Sequence, residues 1–166
     1  MKTMLEIPVL KDEVNTMIPM ESMEDFELLF HLALQYKYNP LSIEELRTVI
    51  YQYFIGGWKV KENKTGIFGG VIYFTNVKGL GYTFDAYKDN ELVKGLNRRE
   101  LLDVSVRTGQ LALDFYDKNI GDTLYCSVVV QNKGAVVACQ LLGFHVISVY
   151  DSIYGEHVLM VRKKGE

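Results

Sequence analysis

Between Trp58 and Tyr87, three stretches of strand chemistry are separated by turns of only four residues. That spacing constrains the fold more than any other feature of the chain. Trp58 to Glu62 alternates, Ile67 to Val77 is rich in aromatic and β-branched residues, and Tyr82 to Tyr87 repeats the pattern. Asn63-Lys64-Thr65-Gly66 and Lys78-Gly79-Leu80-Gly81 carry turn chemistry. A parallel return needs a crossover of about a dozen residues, so these strands form an antiparallel meander.

The flanks read differently. Met23 to Tyr36 has apolar residues at helical spacing (Phe26, Leu29, Phe30, Ala33, Leu34), with Ser22 as N-cap and Asp25 three residues on. After a loop at Tyr38-Asn39-Pro40, Ser42-Ile43-Glu44-Glu45 is a capping box. It opens a second helix through Leu46, Val49, Ile50 and Tyr53, which Gly56-Gly57 is expected to end. Beyond the meander, Arg98 to about Lys118 is helical, with Gly109 an expected kink or break. Leu124 to Val130 is a solid apolar strand, as for one covered on both faces. Lys133 to Leu142 reads as a short helix, and Phe144 to Tyr150 and His157 to Arg162 as strands. An opening strand is expected over Glu6 to Lys11.

Length and charge bound the function. The 166 residues suit one domain spanning 1–166. A net charge of -3 and no basic face visible in sequence set aside nucleic acid as a partner. Gly134 to Tyr150 carries no formal charge, yet it falls short of the roughly 20 residues a bilayer needs and is interrupted by Gln140, Gly143 and His145. Met1 to Leu10 contains Lys2, Glu6 and Pro8 and lacks the apolar core of a secretory signal, so a cytoplasmic protein with no membrane partner is expected. Cys126 and Cys139 read as buried free thiols, a disulfide being the alternative. His31, His145 and His157 are too dispersed for a metal site, and none is expected.

The block Asn132-Lys133-Gly134-Ala135, then Cys139, then Gly143-Phe144, follows directly on the Leu124 strand. Asn132 can cap the next helix, Ala135 and Ala138 allow close approach, and Gly143 suits the left-handed residue that stops the helix. The same spacing resembles the N-x-x-A-x-x-x-Y-x-x-x-G-F motif of the GNAT (Gcn5-related) N-acetyltransferase family, with Cys139 at the tyrosine position. The order of elements along nearly the whole chain resembles that family too. The resemblance implies an α/β (α+β) fold: a mixed central sheet of about six to seven strands flanked by about four helices. It also implies acyl transfer from acetyl-CoA, or another acyl-CoA, to a small-molecule or peptide amine, without a metal. Homodimers are common in the family and remain open for this chain.

What the resemblance implies for individual residues is testable. In the family, the strand before the cofactor loop splays from the strand that follows and leaves backbone N–H groups free to hold the acyl group, which maps to Asp85, Ala86, Tyr87 and Lys88. The pyrophosphate loop maps to Leu92-Val93-Lys94-Gly95-Leu96-Asn97, where Gly95 matches and Leu92 and Asn97 do not. Lys94, Arg98 and Arg99 cluster there and can contact phosphates; Asn97 and Glu100 equally form a capping box on a solvated helix end. Asn132 and Cys139 complete the expected cofactor contacts. Asp85 is the carboxylate of an otherwise apolar strand, where burial raises a pKa toward that of a useful base; an outward-facing polar residue fits as well. His145 is a second candidate base. Tyr150 and Tyr154 are candidate proton donors to the leaving thiolate, in place of the missing tyrosine. Tyr36, Tyr38, Asn39 and Trp58 are expected around the acceptor. The departures at Leu92, Asn97 and Cys139 keep open a second reading, a catalytically degenerate GNAT-fold protein that serves as a binding or structural component.

Overall fold

A computed structural model describes residues 5–36, 41–152 and 155–163. The chain runs β1 (Leu10–Lys11), β2 (Asn15–Pro19), α1 (Met23–Ala33), α2 (Ile43–Tyr53), β3 (Phe54–Glu62), β4 (Phe68–Val77) and β5 (Gly81–Lys88). It continues through α3 (Asn90–Val93), α4 (Arg98–Asn119), β6 (Leu124–Val129), α5 (Lys133–Leu141), β7 (His145–Ser152) and β8 (Gly155–Arg162). The strands form one mixed sheet of eight in the order β1-β2-β3-β4-β5-β6-β8-β7. The meander β3-β4-β5 is antiparallel, as its turns dictate. Both expected capping boxes are formed: the Ser22 hydroxyl accepts from the Asp25 N–H and the Ser42 hydroxyl from the Glu45 N–H.

Several expectations are corrected. The opening strand that pairs with the meander is β2, not Glu6 to Lys11. Asp12 accepts from the N–H groups of Val14 and Asn15, both at 2.8 Å, and this turn folds the chain back after only two residues of β1. Gly56-Gly57 does not end a helix. Both glycines lie inside β3, and a Cβ on Gly57 would stand 2.5 Å from the Tyr73 Cβ and 2.6 Å from the Ile72 carbonyl oxygen. Gly109 does not break α4, which runs unbroken for 22 residues. A Cβ there would meet Leu142 at 2.7 Å, so the glycine lets α4 approach the end of α5. The extra elements beyond the expected count are the short β1 and the one-turn α3, which Asp89 caps through the Glu91 N–H.

Helices cover both faces of the sheet. Leu29, Phe30 and Leu32 of α1 and Leu46 and Ile50 of α2 pack on Phe54, Val71, Tyr73 and Tyr87. On the opposite face Ala112, Leu113 and Tyr116 of α4, with Leu142 at the end of α5, pack on Trp58, Phe74, Phe84 and Met160. Among the described residues, no helix is long and apolar enough to cross a membrane.

The junction between β5 and β6 positions the site. Among the described residues it is the one parallel pairing of the sheet, and it holds for only two residue pairs, Tyr82 with Leu124 and Thr83 with Tyr125. Beyond these, β5 stays paired to β4 as far as Lys88, and β6 stays paired to β8 as far as Val129. The two strands therefore diverge from Phe84 and Cys126 onward.

Candidate functional site

The divergence opens a cavity of about 670 Å³. One wall is the free edge of β5, from Phe84 to Lys88, and the other is β6 from Cys126 to Val129. Val104, Ser105, Thr108 and Gly109 of α4 line one side, with Asn132, Ala135 and Cys139 at α5; Tyr36 and Tyr73 line the side below α1 and α2. Gly143 stops α5 with a φ of 95°, in the left-handed region.

Asp85 stands in this cavity. Water entering the cleft reaches it, but protein walls surround it and remove most of its hydration, so burial raises its pKa to about 6. Hydrogen bonds from the Ala86 N–H at 2.9 Å and the Tyr73 hydroxyl at 3.3 Å oppose that rise. The Ala86 N–H is thus held by Asp85 rather than left unpaired. Tyr73 is itself buried, and burial drives its pKa well above the ordinary phenol value.

Lys88 reaches across the cavity to donate to the Ser105 hydroxyl. Burial lowers its pKa to about 8. The Tyr87 ring packs against Tyr73 and Tyr36, and the three together line the cavity on the side of α1 and α2. On β6 the Ser127 hydroxyl is bonded to the Tyr150 hydroxyl, and the Tyr150 ring stacks on His157 at 5.1 Å. Burial depresses the His157 pKa. Cys126 and Cys139 are free thiols whose sulfurs lie 3.7 Å apart on the cavity wall.

The mouth of the cavity lies at α3 and the start of α4. Leu92 and Val93 belong to α3 rather than to a loop, and with Leu96 they line the opening. Lys94, Arg98 and Arg99 are exposed around it, and a Cβ on Gly95 would meet nothing within 4 Å. Asn97 and Glu100 form the capping box. That box satisfies two of the donors at the helix start, and by helix geometry the N–H groups of Arg98 and Arg99 have no intrahelical acceptor.

The structure thus brings Asp85, Ala86, Tyr87, Lys88, Leu96, Asn132, Cys139 and Tyr150 to one cavity; Lys94, Gly95, Asn97, Arg98 and Arg99 are exposed on the segment next to Val93 and Leu96 and do not themselves line it. Tyr154, Tyr38 and Asn39 lie outside the described residues. Trp58 does not belong to an acceptor wall: it is fully buried, and its indole N–H donates to the Pro8 carbonyl at 2.8 Å. His145 sits on the exposed strand β7 and does not line the cavity. Sequence reasoning missed Tyr73, Ser105 and Ser127. Tyr73 becomes visible only once the register sets it opposite Asp85. Among the described residues no group of three or more side chains could hold a metal ion.

A meander joined to a C-terminal strand–helix–hairpin by a parallel pair that parts after two residues defines the GNAT acyltransferase fold. The chain overlays on a GNAT-family acetyltransferase from Bordetella pertussis with a TM-score of 0.70 at 17% identity, over 94% of this chain and 99% of that one. An acetyltransferase from Agrobacterium tumefaciens strain C58 gives 0.67 at 15% identity, over 99% of both chains. Spermidine N-acetyltransferase from Vibrio cholerae, solved with CoA and spermine, gives 0.66 at 16% identity over 90% of this chain and 95% of that one. No protein-family model matches the sequence, and no curated protein matches it.

Proposed function

We propose that this chain is an acyl-CoA-dependent N-acyltransferase, in the simplest case an acetyltransferase, acting on a primary amine in the cytoplasm. The observation that carries the reading is the opening of β5 from β6 around a carboxylate that faces the cleft, Asp85. The cavity has room for an extended arm, and its rim offers N–H groups without an intrahelical acceptor, three cations and the open space beside Gly95 for phosphates. Neighbours in fold space act on small amines, spermidine among them, which supports a small-molecule acceptor.

A bound thioester supplies an activated acyl carbon; this chain's groups do the rest. The free edge of β5 orients the acyl group beside the cavity wall. Asp85 takes a proton from the incoming ammonium. As it turns toward the amine it releases the Ala86 N–H, which then stabilises negative charge on the acyl oxygen. Tyr150, on the opposite wall, returns a proton to the departing sulfur. Asn132 and the rim residues Lys94, Leu96, Asn97, Arg98 and Arg99 hold the rest of the carrier.

The test is calorimetric titration with acetyl-CoA and free CoA, followed by CoA release over a panel of amines. Micromolar binding is expected in the wild type and its loss in Gly95→Trp, with Tm unchanged because nothing in the fold contacts that position. Leu92 and Leu96, which make the mouth apolar, favour the alternative of a binding or structural component. Absence of CoA binding in the folded protein selects that alternative.

A further inference from the structure

The acyl transfer described above uses neither thiol of the cleft. Cys126 projects from β6 and Cys139 from α5, and the Cys126 thiol donates to the Cys139 sulfur at 3.7 Å. Both line the cavity that holds Asp85 and Lys88. Cys126 is buried, whereas Cys139 is partly exposed and is the first sulfur a molecule in the cavity would meet. Bonding requires the sulfurs to approach to about 2.05 Å, a closure of about 1.7 Å from the observed 3.7 Å.

The surroundings divide the roles. The hydrogen bond from Cys126 lowers the Cys139 pKa and the Lys88 ammonium acts in the same direction, against burial and the Asp85 carboxylate. That bond, burial and Asp85 all push the Cys126 thiol up. Only a thiolate attacks a disulfide, so Cys139 is the attacking sulfur and Cys126 the resolving one.

We infer that Cys126 and Cys139 form a thiol–disulfide exchange site for the disulfide of coenzyme A, taken up in the same cleft. The inference rests on the acyl-CoA reading, because that cleft is what would bring the carrier's sulfur to Cys139. The Cys139 thiolate attacks one sulfur of the disulfide, forming a mixed disulfide and expelling one CoA thiolate, which takes up the proton Cys139 lost. The Cys126 thiol then gives up its proton, attacks the Cys139 sulfur and expels the second CoA as a thiol. In balance, one CoA disulfide and two protein thiols become one protein disulfide and two CoA thiols; the protein is oxidised and the CoA disulfide reduced. The cross-link ties α5 to β6 inside the cleft and removes the thiol that faces the acyl carrier.

The experiment treats the reduced, full-length protein with CoA disulfide and, separately, with glutathione disulfide. The expected wild-type result is loss of both titratable thiols, release of two CoA per chain and an intact mass lower by two hydrogens, from a chain whose sequence holds two cysteines. Cys126→Ser should stop at a stable adduct of one CoA on Cys139, and Cys139→Ser should not react. Should a serine variant not fold, peptide mapping of wild-type protein quenched early reads the same point: the first adduct lies on the Cys139 peptide. CoA disulfide should close the pair at least about tenfold faster than glutathione disulfide, the discrimination expected of roughly 1.4 kcal/mol of cleft binding. Equal rates for the two disulfides, or an early adduct on Cys126, overturn the inference. Thiols that stay intact under CoA disulfide, in protein that binds CoA calorimetrically, overturn this site alone; no CoA binding in the folded protein overturns the acyl-CoA reading and this site with it.

Discussion

Asp85 and Tyr73 face each other across the β4–β5 ladder, and the pair sets how the cleft titrates. Burial lifts the Asp85 pKa from the ordinary 3.8 to about 6. A proton-accepting Asp85 is therefore switched on as pH rises through about 6, and kcat/KM should climb through that value and be lost in Asp85→Asn. The stability effect has the opposite sense. An acid whose pKa is higher in the folded than in the unfolded chain favours folding least above the folded value, so wild-type stability falls as pH rises from about 3.8 to about 6. Asp85→Asn should thus raise Tm at pH 8 and leave it unchanged near pH 4, measured by thermal scans at both. A Tm gain that is the same at both pH values would count against an ionised Asp85 disfavoured by its protein surroundings. The position of Asp85 was readable because no other carboxylate lies in that strand; its partner was not, because Tyr73 is one of many aromatic residues until register singles it out. Trp58 misled for a related reason: its ring packs against Phe74 and Phe115 in the core under α4, and which face of β3 that helix covers is set by tertiary packing rather than by the local pattern.

At the scale of elements, the two N-terminal helices and the meander were legible because their signals are local: capping boxes and four-residue turns. The glycines were not, since the residue that ends a helix is also the residue that admits a close neighbour. Gly57 and Gly109 separate two cases of such admission. At Gly57 the obstructing atoms are the Tyr73 Cβ and the Ile72 backbone, which cannot move without displacing β4. Gly57→Ala should therefore cost about 2–3 kcal/mol, as overpacking does, and lower Tm by roughly 4 °C or more. At Gly109 the obstruction is the flexible end of Leu142. The better helix propensity of alanine, about 1 kcal/mol, offsets that crowding, so Gly109→Ala should stay within about 1 kcal/mol of wild type. Denaturant titrations of the two variants check both; equal losses would show that α4 and α5 are as rigidly locked as β3 and β4.

For the whole molecule, the order of elements was legible from the switch between alternating and helical periodicity, and the C-terminal block from its spacing around Asn132 and Gly143. The separation of β5 from β6 was legible only through the family resemblance, because it depends on how two cores pack rather than on any local run. Ligand in the cleft contacts both halves, so saturating CoA should slow hydrogen exchange in peptides covering 82–88 and 124–130. The slowing should be roughly tenfold or more, with little change in α1. Uniform slowing, or none, would mean that the cleft is not where CoA sits. Mechanically, the sheet is two stiff panels joined by a seam two residue pairs wide. A seam that narrow cannot set the angle between the panels. Just past it, the ring of Phe84 stacks on Phe144 at 5.8 Å, both buried, and acts as a wedge. The aperture is therefore tuned by side-chain volume at Phe144, which stands behind the cavity wall, so a lineage could widen or narrow it, and with it the size of the acyl chain admitted, without altering any residue that lines the cleft.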